Sequence, residues 1–203
     1  MGYWNTIRNF YVTGGTGHAD CPSNDTFTGG SSGQPHRIED CVFDNCARTN
    51  RQVVQLRDRE HAFEDDAGYT WIKRCIFKNL DCTRAIGHNT QGHAEVESIL
   101  IYDSTFDYEA IAVYGAAESD GTAPPAGERG TVVENVTIDG CTTGRDVLWL
   151  GQRAFARNCI VSNCTTDSND SLFSSATTGS YTFPDNATFF NCIAYNNTTA
   201  AGQ

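Results

Sequence analysis

A nine-residue pattern of apolar and polar positions recurs along the chain. Its first, fourth and sixth positions are mostly apolar, its third position is Asn or Asp in most copies, and its eighth is mostly Asn or Gly. The alternation of the fourth and sixth positions is typical of one face of a β-strand, because successive strand side chains point to opposite sides. The copies occupy residues 7–15, 38–46, 72–80, 101–109, 133–141, 156–164 and 189–197.

The spacing of the copies varies while their internal pattern stays constant. Consecutive copies begin 23 to 34 residues apart. This is typical of a solenoid in which loops of different length interrupt equivalent coils. A second short strand is predicted after most copies, at 53–58, 84–89, 110–115, 146–151 and 171–176. A shorter third strand is predicted before some copies, as at 70–72 and 97–100.

The eighth position predicts a bend in each coil. Asn and Gly tolerate the left-handed backbone that a tight bend requires. Stacked Asn side chains can also hydrogen-bond from coil to coil and satisfy the polar groups of the bend. Asn163 and Asn196 each begin an Asn-x-Thr sequon. We expect both to be buried in such a ladder and closed to glycan attachment.

The repeat resembles that of the right-handed parallel β-helix proteins of the pectate-lyase-like superfamily, over about residues 5–199. The resemblance implies an all-β fold, a right-handed parallel β-helix or solenoid of about seven coils. We expect residues 1–203 to form a single β-helix domain, either whole or as a piece of a longer protein. In-register packing would place Phe43 over Phe77 and Phe77 over Phe106.

Charge excludes two classes of partner. The 14 Lys and Arg against 25 Asp and Glu give a net charge of −11. Binding to nucleic acid or to an anionic membrane surface depends on clustered Lys and Arg, so neither partner is expected. No run of about eighteen apolar residues is present, which disfavours a membrane-spanning helix. No signal peptide is visible at the beginning of the sequence.

The nine cysteines follow the repeat. Eight of them fall into pairs on neighbouring coils, and Cα atoms there lie about 4.8 Å apart, inside the range that a disulfide requires. Two alternatives stay open, namely disulfides, which would indicate an extracellular protein, and buried free thiols that act as small apolar residues. The pairs are Cys41 with Cys75, Cys46 with Cys82, Cys141 with Cys164 and Cys159 with Cys192.

Loops that leave the coils define a predicted groove. The stretches 59–69 and 116–130 follow the second strand of their coils and would lie side by side, which is the usual arrangement of a ligand groove on a solenoid. Strand alternation directs Tyr114 and Trp149 outward into this groove, with His88 and Arg153 nearby. Aromatic rings that stack on sugars, beside Arg, predict a polysaccharide-binding surface. The alternative is that both aromatic residues pack beneath loops.

The resemblance also raises the possibility of a lyase reaction. A lyase needs a base that removes the proton beside a uronate carboxylate, and a cation that neutralises that carboxylate. Arg57, Arg59 and His61 are the candidate catalytic residues. The acidic side chains around them are a candidate calcium site, the alternative being a solvated acidic loop. These acidic residues are Asp58, Glu64, Asp65 and Asp66. The Arg-x-Pro-x-x-Arg motif of the pectate lyases is absent from the sequence.

Two functions follow as hypotheses. In the first, the chain is an extracellular or cell-surface β-helix that binds, and in a lyase-like reaction cleaves, a polysaccharide. In the second, it is a non-catalytic structural module of a fibre, surface layer, adhesin or viral appendage. Neither end of the sequence contains an evident capping segment, so a homo-oligomer formed through the ends of the solenoid is a further expectation.

Overall fold

The computed structural model describes residues 6–15, 36–56, 70–88, 94–113, 131–151, 154–167, 170–175 and 187–199. These segments contain β-strands and no helix. In chain order the first eleven strands are β1 (Thr6–Arg8), β2 (Tyr11–Gly15), β3 (His36–Glu39), β4 (Val42–Leu56), β5 (Thr70–Lys73), β6 (Ile76–Lys78), β7 (Asp81–His88), β8 (Ala94–Glu97), β9 (Leu100–Tyr102), β10 (Thr105–Phe106) and β11 (Ile111–Val113). The remaining strands are β12 (Val132–Glu134), β13 (Thr137–Asp139), β14 (Thr142–Thr143), β15 (Leu148–Leu150), β16 (Phe155–Arg157), β17 (Ile160–Ser162), β18 (Thr165–Thr166), β19 (Phe173–Ser175), β20 (Thr188–Phe190), β21 (Ile193–Tyr195) and β22 (Thr198–Thr199).

The strands form the stacked coils of a solenoid. The first strand of each coil joins a seven-stranded sheet in the order β1-β3-β5-β8-β12-β16-β20. The other strands form a larger sheet with three stacks. The long strand β4 joins the stack of β6 and β9 to β7, and β7 pairs with β10 and with β11 in the other two stacks. All pairings between the described strands are parallel. The prediction of an all-β parallel β-helix with about seven coils is confirmed.

Six of the seven copies of the repeat have the predicted register. The first position of the repeat forms one column through the seven-stranded sheet, made by Ile7, Ile38, Ile72, Val96, Val133, Ala156 and Phe189. The exception is the fourth copy, which begins at Val96 and not at Ile101. Ile101 fits two alignments of the repeat, one with Val96 and Ile99 and the other with Phe106. The sequence pattern alone favoured the alignment that begins later.

This shift changes one predicted stack of aromatic rings. Phe77 lies over Phe43, as predicted, but its next neighbour is Ile101. Phe106 lies in another column, between Cys82 and Thr143. The predicted contact between Phe77 and Phe106 is therefore wrong. The predicted strand at 97–100 is also shifted, since the coil begins with β8 (Ala94–Glu97).

Each coil contains two residues with left-handed backbone, one at the third and one at the eighth position of the repeat. The eighth position was predicted, whereas the third was not. The third-position residues are Asn9, Asp40, Arg74, Ser98, Asn135, Asn158 and Asn191, and the eighth-position residues are Gly14, Asn45, Asn79, Asp103, Gly140, Asn163 and Asn196. The two columns mark the bends before and after the strand in the middle of the repeat, and so they fix where the chain turns.

Asparagine ladders follow both columns of bends. The Asn191 Nδ2 atom donates to Asn158 Oδ1 at 2.7 Å, and Asn158 Nδ2 donates to Asn135 Oδ1 at 3.3 Å. At the other bend, Asn196 donates to Asn163. Asn163 and Asn196 are exposed, so the expectation that a ladder would bury them is wrong. A bend points its side chain outward, and the ladder therefore runs over the surface.

The cysteines lie inside the coils and are free thiols. All eight cysteines in the described segments are unbonded, and seven are buried. In-register pairing places Cys41 next to Cys75, Cys141 next to Cys164 and Cys159 next to Cys192. In-register Cβ atoms lie about 4.8 Å apart, as the strands do, whereas a disulfide needs about 3.5–4.5 Å. At the fourth position the cysteine side chains point in parallel into the core, which favours the free-thiol alternative.

The fourth predicted cysteine pair is out of register. Ala47 pairs with Asp81 and Arg48 with Cys82, so Cys82 lies two residues beyond the position that pairs with Cys46. The prediction that Cys46 and Cys82 lie directly over one another is wrong. Cys46 is followed in the next coil by Leu80, another buried apolar residue, which preserves the continuity of the core.

Candidate functional site

The candidate site lies on the outer surface of the last strand of each coil. There the coils stack through β4, β7, β11, β15 and β19. Leu148 and Leu150 on β15 are buried, whereas Trp149 between them is half-buried and points outward. This confirms the alternation that was predicted for β15.

Small residues flank Trp149 in the neighbouring coils. Ala112 pairs with Trp149 from the preceding coil, and Ser174 pairs with it from the following coil. Gly87 precedes Ala112 in the same column. Because these neighbours have short side chains, one large indole ring stands in a column of small residues.

A charged row runs beside this column, three residues earlier in each coil. Arg84 donates from Nε to Glu109 Oε2 at 2.6 Å, and the Glu109 side chain is only 7% exposed. The guanidinium of Arg84 also lies over the ring of Tyr108, 4.9 Å from its centroid, and that of Arg145 lies at 4.3 Å. Two cations therefore contact one aromatic ring, and one of them neutralises a buried carboxylate.

Asp146 links the charged row to the column of Trp149. Its Oδ1 atom accepts a hydrogen bond from the backbone N–H of Ser171 at 2.6 Å, and its Oδ2 atom accepts one from the hydroxyl of Ser174. Ser174 is the in-register neighbour of Trp149. The Asp146 carboxylate is therefore held beside the aromatic side chain. We refer to Arg84, Tyr108, Glu109, Arg145, Asp146 and Trp149 together as the Trp149 face.

The electrostatic environment at this face is acidic. Desolvation, followed by the carboxylates of Asp146 and Asp167, raises the pKa of Asp170, although Arg145 opposes the shift. Burial and nearby negative charge both disfavour ionisation of a carboxyl group, which explains the direction. A negatively charged ligand would meet the same repulsion.

Sequence reasoning missed five of the six residues of the Trp149 face. Arg84, Tyr108, Glu109, Arg145 and Asp146 lie up to 62 residues apart in the sequence, but they share one corner of three successive coils. A sequence signal existed, since each lies two or three residues before the first inward apolar residue of the last strand in its coil, which is Ile86, Ile111 or Leu148. This signal could be used only with the correct register of the fourth coil. The sequence pattern assigned that register wrongly.

Most of the predicted site lies outside the described residues. This applies to the candidate bases Arg57, Arg59 and His61, to the candidate calcium ligands Asp58, Glu64, Asp65 and Asp66, and to the groove residues Tyr114 and Arg153. His88 ends β7, where its backbone pairs with Leu56, but its side chain is outside the description. Within the described part of the chain, no group of three or more His, Cys, Asp or Glu residues is arranged to hold a metal ion.

Comparisons with known proteins found no match for the chain. No family model, no curated protein and no solved structure matches it. A search of the described residues for a helix long and apolar enough to cross a membrane also found none. The fold and the Trp149 face are therefore the basis for a functional proposal.

Proposed function

We propose that this protein is an extracellular β-helix that binds a polysaccharide along the Trp149 face, in the manner of the pectate-lyase-like superfamily. One observation carries the proposal: Trp149 points outward from β15 between the small neighbours Ala112 and Ser174. A planar indole beside short side chains provides a surface on which a sugar ring can stack. The parallel coils would allow successive sugars to lie along the solenoid axis.

Polar groups along the Trp149 face supply hydrogen bonds for sugar hydroxyls. Asp146 is held by Ser171 and Ser174, and the Arg84 guanidinium is held by Glu109. Side chains fixed in this way lose little conformational freedom when a ligand binds, which favours affinity. Because Glu109 and Asp146 are both engaged in hydrogen bonds, the described residues favour binding over proton transfer.

The charge around the Trp149 face favours a neutral polysaccharide over a polyuronate. On the face itself Arg84 and Arg145 balance Glu109 and Asp146, but Asp167 and Asp170 lie near Asp146 and the whole chain has a net charge of −11. Desolvation, followed by the carboxylates of Asp146 and Asp167, raises the pKa of Asp170. The negative potential would repel a polyuronate, and added salt would weaken this repulsion. Lyase-like cleavage of a uronate by Arg57, Arg59 or His61, with calcium held by the acidic loop, stays a separate proposal.

The binding proposal is tested with two tryptophan variants. Trp149→Ala should bind neutral polysaccharides about tenfold more weakly, since loss of an aromatic contact of about 1.4 kcal/mol corresponds to that factor. Trp71→Ala is the matched control, because Trp71 lies on the seven-stranded sheet beneath Arg37 and Lys73. Affinity electrophoresis in gels that contain neutral or uronate polymers measures both. Equal retardation of wild type and Trp149→Ala in every gel would overturn the proposal.

The cleavage proposal has its own measurement. The protein is incubated with a panel of uronate polysaccharides, with and without Ca²⁺, and the absorbance of the unsaturated product is followed. Turnover that Arg57→Ala abolishes would support a lyase. A flat trace across the panel would remove the lyase reaction and leave binding untouched.

A non-catalytic structural module is the second candidate function. It is favoured by the exposed apolar side chains of the two terminal coils, Phe10 and Tyr11 in the first described coil and Phe190, Ile193 and Tyr195 in the last. Exposed apolar clusters of this kind are typical of interaction surfaces. Light scattering of the purified chain distinguishes an assembling protein from a monomer.

A further inference from the structure

The exposed apolar residues of the described structure are confined to its two ends. Every large hydrophobic side chain that is exposed there belongs to the first coil, β1 and β2, or to the last coil, β20 to β22. At the fifth position of the repeat, Tyr11 and Ile193 are 59% and 54% exposed, whereas Ile76 and Ile160 in interior coils are mostly covered. The difference arises because an interior coil has a neighbour on each side.

The backbone hydrogen bonds between coils form repeating series. Each series therefore indicates which donor and acceptor would pair if another coil were added. In the first series, the N–H at the third position donates to the carbonyl at the second position of the next coil. It runs six times, from Asn9 to Glu39 at 3.2 Å through to Asn158 to Phe190 at 3.1 Å. The next donor is the N–H of Asn191, and the second-position carbonyl of the first described coil belongs to Arg8.

Two further series end in the same way. In one, the N–H at the fifth position donates to the fourth-position carbonyl of the preceding coil, as from Ile193 to Cys159 at 2.9 Å. Its continuation would join the N–H of Tyr11 to the carbonyl of Cys192. In the other, the N–H at the eighth position donates to the seventh-position carbonyl of the next coil, as from Asn163 to Tyr195 at 3.3 Å. Its continuation would join Asn196 to Thr13.

Side chains at the two ends match as well. The ladder of Asn135, Asn158 and Asn191 runs in one direction, because each Nδ2 atom donates to the Oδ1 atom of the preceding coil. The third-position residue of the first coil is Asn9, which has the amide needed to donate to Asn191. Tyr11 occupies the column of Ile193, so the two exposed apolar residues would cover each other.

We propose that the first described coil of one copy of this chain, residues 6–15, stacks in register on the last coil of a second copy, residues 187–199. This contact makes a second copy of the chain the partner in the structural-module function, and it does not depend on saccharide binding. Donors and acceptors of the two edges are complementary, and unpaired strand edges favour such pairing. The contact is head-to-tail, so it leaves a free end on each partner and leads to filaments.

The net charge of the chain opposes this association and makes it dependent on salt concentration. Each copy has a charge of −11, so two copies repel each other at low ionic strength. Salt screens charges that lie more than about 10 Å apart at 0.1 M. Filament formation should therefore increase with salt, whereas an association based on ion pairs would decrease.

Charge substitutions at each end test the proposal. Sedimentation velocity of the full chain should show a weight-average mass that rises with concentration beyond that of a dimer of 22.2-kDa chains. Phe10→Lys and Cys192→Lys should each remain monomeric when alone, because the fourth position points into the core and is buried in interior coils, so stacking would bury the lysine. Thr142→Lys is the control, since Thr142 is exposed on an interior coil, and it should assemble like wild type. Circular dichroism confirms that each variant is folded.

Mixing the two end variants distinguishes head-to-tail stacking from a symmetric dimer. Phe10→Lys retains an intact last coil and Cys192→Lys an intact first coil, so an equimolar mixture should form a dimer and nothing larger. A wild-type chain that stays monomeric at every concentration and salt would overturn the proposal. So would a single end variant that dimerises alone, because this would show a symmetric contact. Neither outcome bears on the polysaccharide measurements, which are made on the Trp149 face.

Discussion

The ring of Phe43 lies 4.7 Å from that of Phe77 in the next coil, centroid to centroid, with only 13° between the ring planes. Both side chains are fully buried. Two identical residues stack in this way because parallel in-register pairing places the same position of the repeat directly over itself. Ile101, Ile138 and Val161 continue the column.

Removing one of these rings should destabilise the solenoid strongly. Phe77→Ala should lower the free energy of unfolding by about 3–5 kcal/mol, because the interior coils on both sides cannot close the cavity. Phe77→Leu retains most of the volume and should cost about 1.5 kcal/mol or less. Urea denaturation followed by circular dichroism measures both variants. Equal losses for the two substitutions would contradict a packed column.

The asparagine ladder predicts different costs for two substitutions at one residue. Asn158 has left-handed backbone, with φ of 54°, and hydrogen-bonds to Asn135 and Asn191. Asn158→Ala should lose the hydrogen bonds and gain backbone strain of roughly 1–2 kcal/mol. Asn158→Gly loses the same hydrogen bonds without the strain, so it should be more stable than the Ala variant in thermal unfolding. The opposite order would show that the bend does not need left-handed backbone.

The Arg84–Glu109 pair should contribute more to stability than an exposed pair. Glu109→Gln leaves the mostly buried Arg84 guanidinium without its carboxylate and should cost about 1–3 kcal/mol. Glu134→Gln is the control, because its partner Arg157 is exposed and such pairs contribute about 1 kcal/mol or less. Chemical denaturation at low and high salt measures both. If Glu109→Gln were as stable as the control, the charged row would not be a fixed part of the Trp149 face.

Buried thiols should make the fold sensitive to alkali. Burial raises the pKa of Cys75 and of Cys159 from 9.0 to about 12. Between pH 9 and pH 12 the unfolded chain therefore loses these protons while the folded chain keeps them, and stability falls as pH rises. Below pH 9 both states are protonated and the effect is absent. Cys75→Ala should show a shallower loss of stability across this range than wild type, and an unchanged slope would contradict the pKa shift.

Much of the fold could be predicted from the sequence because a coil needs the same residue types at the same places. Left-handed bends favour Asn, Asp or Gly, which occupy twelve of the fourteen bend positions, and the interior requires apolar side chains, so the repeat is visible without coordinates. The error at the fourth copy also has a physical cause. Ile101 fits both the first and the sixth position of the repeat, and only the pairing of Val96 with Ile72 and Val133 decides between them.

The sequence by itself therefore determined the all-β solenoid, the number of coils and the outward direction of Trp149, because these depend on local alternation and on backbone preferences at bends. Only the tertiary structure decided which residues meet across coils. It separated Cys46 from Cys82, moved Phe106 out of the aromatic column, and brought Arg84 to Glu109 and Asp146 to Ser174, the in-register neighbour of Trp149. Those contacts depend on register, and register is set by the packing and hydrogen bonding of whole neighbouring coils, which a single strand does not encode.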